Sequence, residues 1–221
     1  MRQDIQAVLF DLDGTLIDSA PDLAGAANAL RAQHGLPALP YQQLRPMVGA
    51  GARGMVGLAF GVSPGELKFE ALRDAFLAQY ESALLVHTHV FADMLPVLAV
   101  LQDESCPWGI VTNKNSRFAL PVVAGLPALA NSGVLICGDT TAHAKPHPEP
   151  LLEAARRLAV SPQACVYVGD DLRDIEAGRA AGMRTVAAGW GYLGQGEHIE
   201  DWGADFIASS PQQLLKWLEE A

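Results

Sequence analysis

Two aspartates separated by one residue, Asp11 and Asp13, follow a short apolar run at residues 7–10. Alternate side chains of an extended chain point the same way, so both carboxylates are predicted to face one site at the end of a buried strand. Gly14 then permits the tight turn that leaves the sheet. Two carboxylates this close need a cation or a shared proton to offset their repulsion. The pair therefore predicts a site that binds a cation or shares a proton.

A calcium-binding loop is another explanation for closely spaced acidic residues. Such a loop needs glycine at its sixth position, and the sixth residue counted from Asp11 is Leu16. Capping of the next helix is a possible explanation for Asp18, Ser19 and Asp22 that involves no chemistry. Neither explanation extends to Asp11 and Asp13, which keep their predicted role.

Three further polar groups each follow another short apolar run that predicts a buried strand. Each group alone is weak evidence, because a threonine in a turn or a lysine beside a proline is usually structural or exposed. Together they indicate one composite site, since open α/β sheets bind ligands at the carboxyl ends of their strands. The groups are Thr112 and Asn113 after the run at 108–111, Lys145 after 134–137, and Asp170, Asp171 and Asp174 after 165–168.

The motif Asp-x-Asp-Gly-Thr-Leu-x-Asp-Ser at residues 11–19 resembles the first signature of haloacid dehalogenase-type phosphatases. The three later groups match the remaining signatures of that superfamily in order. The resemblance implies a magnesium-dependent phosphatase that acts on a small phosphorylated metabolite. One departure is Asp171, where many relatives have serine or threonine, and its role as a metal ligand or as a partner behind the ligands stays open.

The resemblance also implies a role for each matching residue. The implied catalytic residues are Asp11 as nucleophile, Asp13 as general acid and base, and Lys145 as the partner of nucleophile and phosphate. The implied phosphate-binding residues are Gly14, Thr112 and Asn113. The implied ligands of Mg²⁺ are Asp11, the main-chain carbonyl of Asp13, and Asp170, with Asp171 and Asp174 close behind them.

The elements that must position these residues follow a strand–helix rhythm. Apolar runs rich in valine, isoleucine and leucine alternate with helical patterns, which predicts a doubly wound parallel α/β sheet of the Rossmann-like kind. About 70 residues after the first strand show helical periodicity and no convincing strand, far more than a simple crossover needs. We therefore predict a core domain at 1–17 and 91–221, and an inserted helical cap at 18–90.

Substrate recognition is predicted to lie in the cap, because the core signatures read only phosphate and metal. The segment Gly49-x-Gly51-x-x-Gly54 formally matches a dinucleotide fingerprint, but no strand precedes it. We interpret it as a turn and helix start facing the site, where Arg53 is either a solvated helix residue or a contact to an anionic part of the substrate.

At the whole-chain level the sequence resembles phosphoglycolate phosphatases. Several stretches look closer to the N-acetylmuramic acid 6-phosphate phosphatases, and both groups act on a phosphomonoester that carries a carboxylate. We therefore expect a carboxylate-bearing substrate and a contribution from Arg53. The stretches are 51–56, 108–114, 169–178 and 202–205.

Three alternative functions remain open from the sequence. A phosphosugar mutase of the same superfamily would use the same two aspartates but return the phosphoryl group to the sugar. A receiver-type signalling domain also combines acidic residues, threonine and lysine, but it accepts phosphate on a later strand and has no insert after the first. A catalytically silent binding module is disfavoured by the intact Asp11, Asp13, Lys145 and Asp170.

Composition limits the range of partners. The chain has 221 residues and a formal net charge of −10, and it has no basic run interleaved with aromatics, which argues against nucleic acid or an anionic membrane as partner. Three scattered cysteines predict reduced thiols rather than a disulfide framework. No apolar run reaches membrane-spanning length. We expect a cytoplasmic protein that is a monomer or a homodimer.

Overall fold

The computed structural model describes residues 4–194 and 196–220. Most of the strands lie where the apolar runs predict them. In chain order they are β1 (Ala7–Phe10), β2 (Ile17–Asp18), β3 (His89–Val90), β4 (Trp108–Val111), β5 (Val134–Ile136), β6 (Cys165–Gly169), β7 (Arg184–Ala188) and β8 (Phe206–Ala208).

Six of these strands form one parallel sheet in the order β5-β4-β1-β6-β7-β8. The strand order reverses at β1: β4 and β5 follow one another on one side of it, and β6, β7 and β8 on the other. Every residue of β1, β4 and β6 is buried, as expected for strands covered by helices on both faces. The predicted fold class is therefore confirmed.

Helices connect the strands and cover the sheet. The four helices that follow β2 belong to the segment predicted as a cap, and the other five belong to the strand–helix alternation. They are α1 (Ala20–Gln33), α2 (Tyr41–Leu44), α3 (Gly51–Phe60), α4 (Phe69–Glu81), α5 (Met94–Asp103), α6 (Ser116–Ala124), α7 (Glu149–Leu158), α8 (Leu172–Ala180) and α9 (Pro211–Glu219). Among the described residues, none of the helices combines the length and the apolar character that a membrane crossing requires.

The helices α1 to α4 share an apolar cluster, to which Phe118 of α6 and Tyr192 also contribute. Leu30, Met55 and Phe76 lie in it and are almost completely buried. The sheet residues pack into separate clusters on the two faces of the sheet. This separation supports the predicted division into a core and a helical cap, which remains a prediction.

Two features differ from the sequence interpretation. The insert is flanked by a short antiparallel sheet, in which Ile17 pairs with Val90 and Asp18 with His89, although no strand was expected there. Two residues per strand carry no detectable periodicity, so the pairing is set by tertiary structure. Helix α6 was also not predicted. It contains Pro121, and an internal proline weakens a helical pattern.

Candidate active site

Asp11 lies directly after β1, and its N–H donates to the carbonyl of Val168 in β6 at 2.9 Å. The main chain at Asp11 is thus fixed by the neighbouring strand. Gly14 has a φ of +87°, and a Cβ atom there would lie 2.2 Å from Oδ2 of Asp170. Glycine is required at residue 14 both for the backbone conformation and for the close approach of Asp170.

Lys145 is the centre of a buried charge network. Its Nζ donates to Oδ1 of Asp11 at 2.9 Å, to Oδ1 of Asp174 at 2.7 Å, to the Val111 carbonyl at 2.9 Å and to the Tyr167 hydroxyl at 2.7 Å. The Lys145 side chain is 3% exposed, so solvent screens the electrostatic interactions of these bonds very little. Burial lowers the pKa of Lys145, but the charges of Asp11 and Asp174 outweigh it and raise the pKa, which keeps the ammonium charged.

Asp170 is held on both oxygens. Oδ1 accepts a hydrogen bond from the Thr15 hydroxyl at 3.0 Å, and Oδ2 accepts one from the Tyr192 main-chain N–H at 2.7 Å. Burial raises the pKa of Asp170 well above its ordinary value, and the charges of Asp11 and Asp174 act in the same direction. Burial likewise raises the pKa of Asp11 to about 7, against the opposing charge of Lys145.

Asp11, Asp170 and Asp174 each offer a carboxylate oxygen, and these oxygens all lie within 4.8 Å of one another. Three clustered carboxylates with one lysine leave an excess of negative charge, which adds to the effect of burial in raising the pKa values of Asp11 and Asp170. A hard divalent cation would remove that excess, and oxygen donors are what Mg²⁺ prefers. The donor set therefore fits the predicted metal.

Asp13 lies in a different environment from Asp11. Its carboxylate accepts bonds from the Lys114 ammonium at 2.9 and 3.1 Å, and from the hydroxyl of Ser19. The Lys114 side chain is 8% exposed and its Nζ lies 4.8 Å from the centre of the Tyr80 ring. Burial lowers the pKa of Lys114, but the charge of Asp13 outweighs this effect and raises the pKa.

Thr112 and Asn113 lie beside these groups on the loop after β4. The Thr112 hydroxyl accepts a hydrogen bond from the Lys114 main-chain N–H at 3.1 Å. The Asn113 side chain exchanges two hydrogen bonds of 2.9 Å with the main chain of Lys145. Asn113 therefore orients the loop that carries Lys145, a contact that the sequence did not indicate.

Asp171 is not part of the carboxylate cluster. It is the N-cap of α8, where it forms a capping box with Asp174, and its side chain pairs with Arg173 at 2.7 Å. Arg173 also donates to the main-chain carbonyl of Gly49, which belongs to the segment predicted as a cap. The additional acid therefore orients an arginine that joins core and insert.

A cavity of about 350 Å³ lies between the sheet edge and the helical insert. Asp11, Asp13, Thr112, Asn113, Lys145, Asp170, Asp171 and Asp174 all line it, as do Gly49 and Gly51. Its wall includes the cap residues Phe76 and Tyr80. Among the described residues, the cationic side chains on this wall are Lys114, Lys145 and Arg173.

Arg53 lies in a second cavity of about 300 Å³, and it does not line the cavity that contains Asp11. Ala50, Asp171 and Arg173 line both cavities, so the two cavities adjoin at these residues. Gly14 is likewise not among the residues that line the cavity containing Asp11.

The sequence missed Lys114, Ser19 and Tyr192 as contributors to the site. Lys114 follows the Thr-Asn pair directly, and Ser19 ends the first signature. Both residues lie within recognisable motifs, but the sequence did not indicate that they bind Asp13. Tyr192 is distant in sequence from every signature. Its hydrogen bonds to Asp170 and to the start of α1 come from the fold alone.

The family model of haloacid dehalogenase-like hydrolases matches residues 5–182 of the chain. The chain is 43% identical over 217 residues to an N-acetylmuramic acid 6-phosphate phosphatase of Pseudomonas putida, with 98% of this chain and 97% of that protein covered. It is 47% identical over 210 residues to a phosphoglycolate phosphatase of Xanthomonas campestris pv. campestris, with coverages of 95% and 94%.

Among solved structures, the fold is similar to a crystal structure described as a predicted phosphoglycolate phosphatase from Haemophilus somnus. The TM-score is 0.86 at 24% identity, with 99% of this chain and 100% of that chain covered. The chain therefore belongs to the haloacid dehalogenase-like hydrolases. Within this family it is a phosphatase, which removes the receiver-type and silent-module alternatives.

Proposed function

We propose that the chain is a magnesium-dependent phosphomonoester hydrolase that works through an aspartyl-phosphate on Asp11. The observation that carries the proposal is the contrast between two neighbouring aspartates. Asp11 faces Lys145 and the carboxylate cluster, whereas Asp13 is bound by Ser19 and Lys114. Two carboxylates in such different surroundings can divide the work of a nucleophile and an acid–base catalyst.

In the first step a carboxylate oxygen of Asp11 forms a bond to phosphorus while the bond from phosphorus to the ester oxygen breaks. The carboxyl proton of Asp13 passes to the leaving oxygen, which departs as an alcohol. In the second step water attacks the aspartyl-phosphate and gives its proton to Asp13. Inorganic phosphate leaves, and Asp11 and Asp13 return to their starting states.

Lys145 holds Asp11 in place through its 2.9 Å bond to Oδ1 and offsets part of the charge of an incoming phosphate. Thr112, Asn113 and the turn at Gly14 are the proposed phosphate-binding positions. Asp11, Asp170 and the main-chain carbonyl of Asp13 are the proposed ligands of Mg²⁺, with Asp174 behind them. When bound, the ion neutralises the repulsion between the phosphate and the carboxylates.

The proposed substrate is a small phosphomonoester that carries a carboxylate. The names of the relatives give two candidates, N-acetylmuramic acid 6-phosphate and 2-phosphoglycolate. The cavity of about 350 Å³, with Phe76 and Phe118 on its wall, favours the larger amino-sugar phosphate, since ligand pockets of this size bury molecules larger than phosphoglycolate. Arg173 lines this cavity, and Arg53 would meet only a part of the substrate that extends past Arg173.

Phosphate release from both candidates and from glucose 6-phosphate, with Mg²⁺ and with excess EDTA, tests the proposal. We expect metal-dependent release that is fastest with a carboxylate-bearing substrate and needs no bisphosphate activator, which a mutase would require. Asp11→Asn should abolish turnover, because it removes the nucleophile with almost no change in volume. Full activity in EDTA, or more than a few per cent of activity in the Asp11 variant, would overturn the mechanism.

A further inference from the structure

The first helix of the insert is capped from outside by a tyrosine of the core. Ser19 is the N-cap residue of α1, yet its side chain makes no capping hydrogen bond. A serine at this position normally accepts a bond from an N–H of the first turn. The Tyr192 hydroxyl accepts the N–H of Ser19 at 2.9 Å and that of Ala20 at 3.0 Å, and the Ala20 N–H also donates to Oδ1 of Asp18 at 3.2 Å.

The Ser19 hydroxyl binds a residue of the site rather than the start of the helix. The hydroxyl donates to Oδ1 of Asp13, the oxygen that also accepts from Lys114. Asp13 is thus held from two sides, by a lysine on the β4 loop and by a serine on the chain that enters the insert. Because the main-chain N–H of Ser19 donates to Tyr192, the tyrosine hydroxyl fixes the segment from which the serine side chain reaches Asp13.

Tyr192 is itself firmly placed. It is 4% exposed, its hydroxyl donates to Oδ1 of Asp18 at 3.0 Å, and the Arg45 guanidinium lies 4.9 Å from its ring centre. Its main-chain N–H donates a hydrogen bond to Oδ2 of Asp170 at 2.7 Å. Burial and the charges of Asp13 and Asp18 raise the pKa of Tyr192, so the hydroxyl keeps its proton and remains a donor.

We propose that Tyr192 is a positioning residue for Asp13. It holds the main-chain N–H of Ser19, and with it the Ser19 hydroxyl that positions the Asp13 carboxyl for transfer of its proton to the leaving oxygen. Without the tyrosine hydroxyl, the Ser19 N–H loses this bond and Ala20 keeps only its 3.2 Å bond to Asp18, so Ser19 is released to move away from Asp13. The inference rests on the proposed function, in which Asp13 is the general acid.

Substrates that differ in their need for a proton donor test this role. An alkyl phosphate such as N-acetylmuramic acid 6-phosphate or 2-phosphoglycolate needs its leaving oxygen protonated, whereas p-nitrophenyl phosphate releases a stable phenolate. The quantity to measure is kcat/KM, which reports the steps up to release of the first product. General acid catalysis contributes roughly 10²- to 10⁴-fold, so misplacement of Asp13 should cost about tenfold or more on the alkyl substrate.

The variants are Tyr192→Phe and Ser19→Ala, with Thr88→Val as a matched control. Thr88 is a buried residue just before β3, where the chain returns from the insert. Its hydroxyl donates to Asp22 at 2.7 Å, and it has no role in the proposed chemistry. We expect the first two variants to lose about tenfold or more on the alkyl phosphate and less than about threefold on the aryl phosphate. The control should keep both values within about threefold.

Melting temperatures measured for all four proteins separate loss of folded protein from loss of catalysis. Equal losses on the two substrates in the folded Tyr192 variant would overturn the inference, because a purely structural role lowers both. Unchanged kcat/KM on the alkyl phosphate would overturn it as well. If the wild-type protein releases phosphate from none of these substrates, the proposed function fails instead, and the two failures remain distinct.

Discussion

The excess of negative charge around Asp11 predicts that the metal-free protein loses stability as the pH rises. Burial raises the pKa of Asp11 to about 7 in the folded chain, whereas an aspartate in an unfolded chain titrates near pH ~3.9. Between these two values the folded state binds more protons than the unfolded state. The free energy of unfolding therefore falls as the pH increases through this window.

The magnitude follows from the difference between the two pKa values. About three pH units correspond to roughly 4 kcal/mol, which is fully lost above pH ~7. For a protein of this size, 1 kcal/mol shifts the melting temperature by about 2–4 °C, so the expected fall is on the order of 8–16 °C. The raised pKa of Asp170 acts in the same direction.

The assay is thermal unfolding from pH 4 to pH 8, with excess EDTA and with saturating Mg²⁺. We expect the stabilisation by Mg²⁺ to grow with pH, because the ion binds the ionised carboxylates. Asp11→Asn should flatten the dependence in EDTA, whereas Asp103→Asn, a change at an exposed aspartate, should retain it. An equally steep fall in the Asp11 variant would refute this account of the charge cluster.

Three further outcomes follow from the site. Asp170→Asn should weaken activation by Mg²⁺, and an unchanged Mg²⁺ titration in this variant would contradict the role of Asp170 as a ligand. In the wild-type protein, Ca²⁺ should substitute poorly for Mg²⁺ because its larger coordination shell disturbs in-line attack. Gly14→Ala should lower the free energy of unfolding by about 3 kcal/mol or more, measured in urea, because its Cβ would lie 2.2 Å from Asp170. Arg53→Ala should raise KM for N-acetylmuramic acid 6-phosphate and not for 2-phosphoglycolate, since Arg53 lines the adjoining cavity; equal rises would show that it only shapes the insert.

The fold was predictable from the sequence where burial produces a recognisable pattern of apolar residues. Strands covered on both faces are continuous apolar runs, and β1, β4 and β8 have the predicted bounds. The two-stranded sheet at Ile17 and Val90 was missed because pairs of two residues depend on the approach of distant segments. Helix α6 was missed because its internal proline breaks the pattern that identifies a helix.

The site was predictable as a set of positions and not as a set of contacts. A motif places Asp11, Lys145 and Asp170 at strand ends, which a parallel sheet gathers at one edge. It does not show that Asn113 holds the main chain of Lys145, or that Asp171 orients Arg173 toward Gly49. Those contacts depend on side-chain directions in loops, where sequence periodicity carries no information.

Asp11 and Asp13 are separated by a single residue, Leu12, yet they lie in two different electrostatic environments. Asp11 ends a strand inside the sheet edge, where burial and two further carboxylates oppose its charge until a cation arrives. Asp13 lies past the edge, where Lys114 and Ser19 reach it from the β4 loop and the insert. Because Asp13 depends on groups outside the strand that precedes it, we expect the position of the insert to act on the proposed proton transfer by Asp13 and to leave Asp11, the proposed nucleophile, fixed. Substrate recognition by the insert would then change the proposed acid–base step without disturbing the carboxylate cluster.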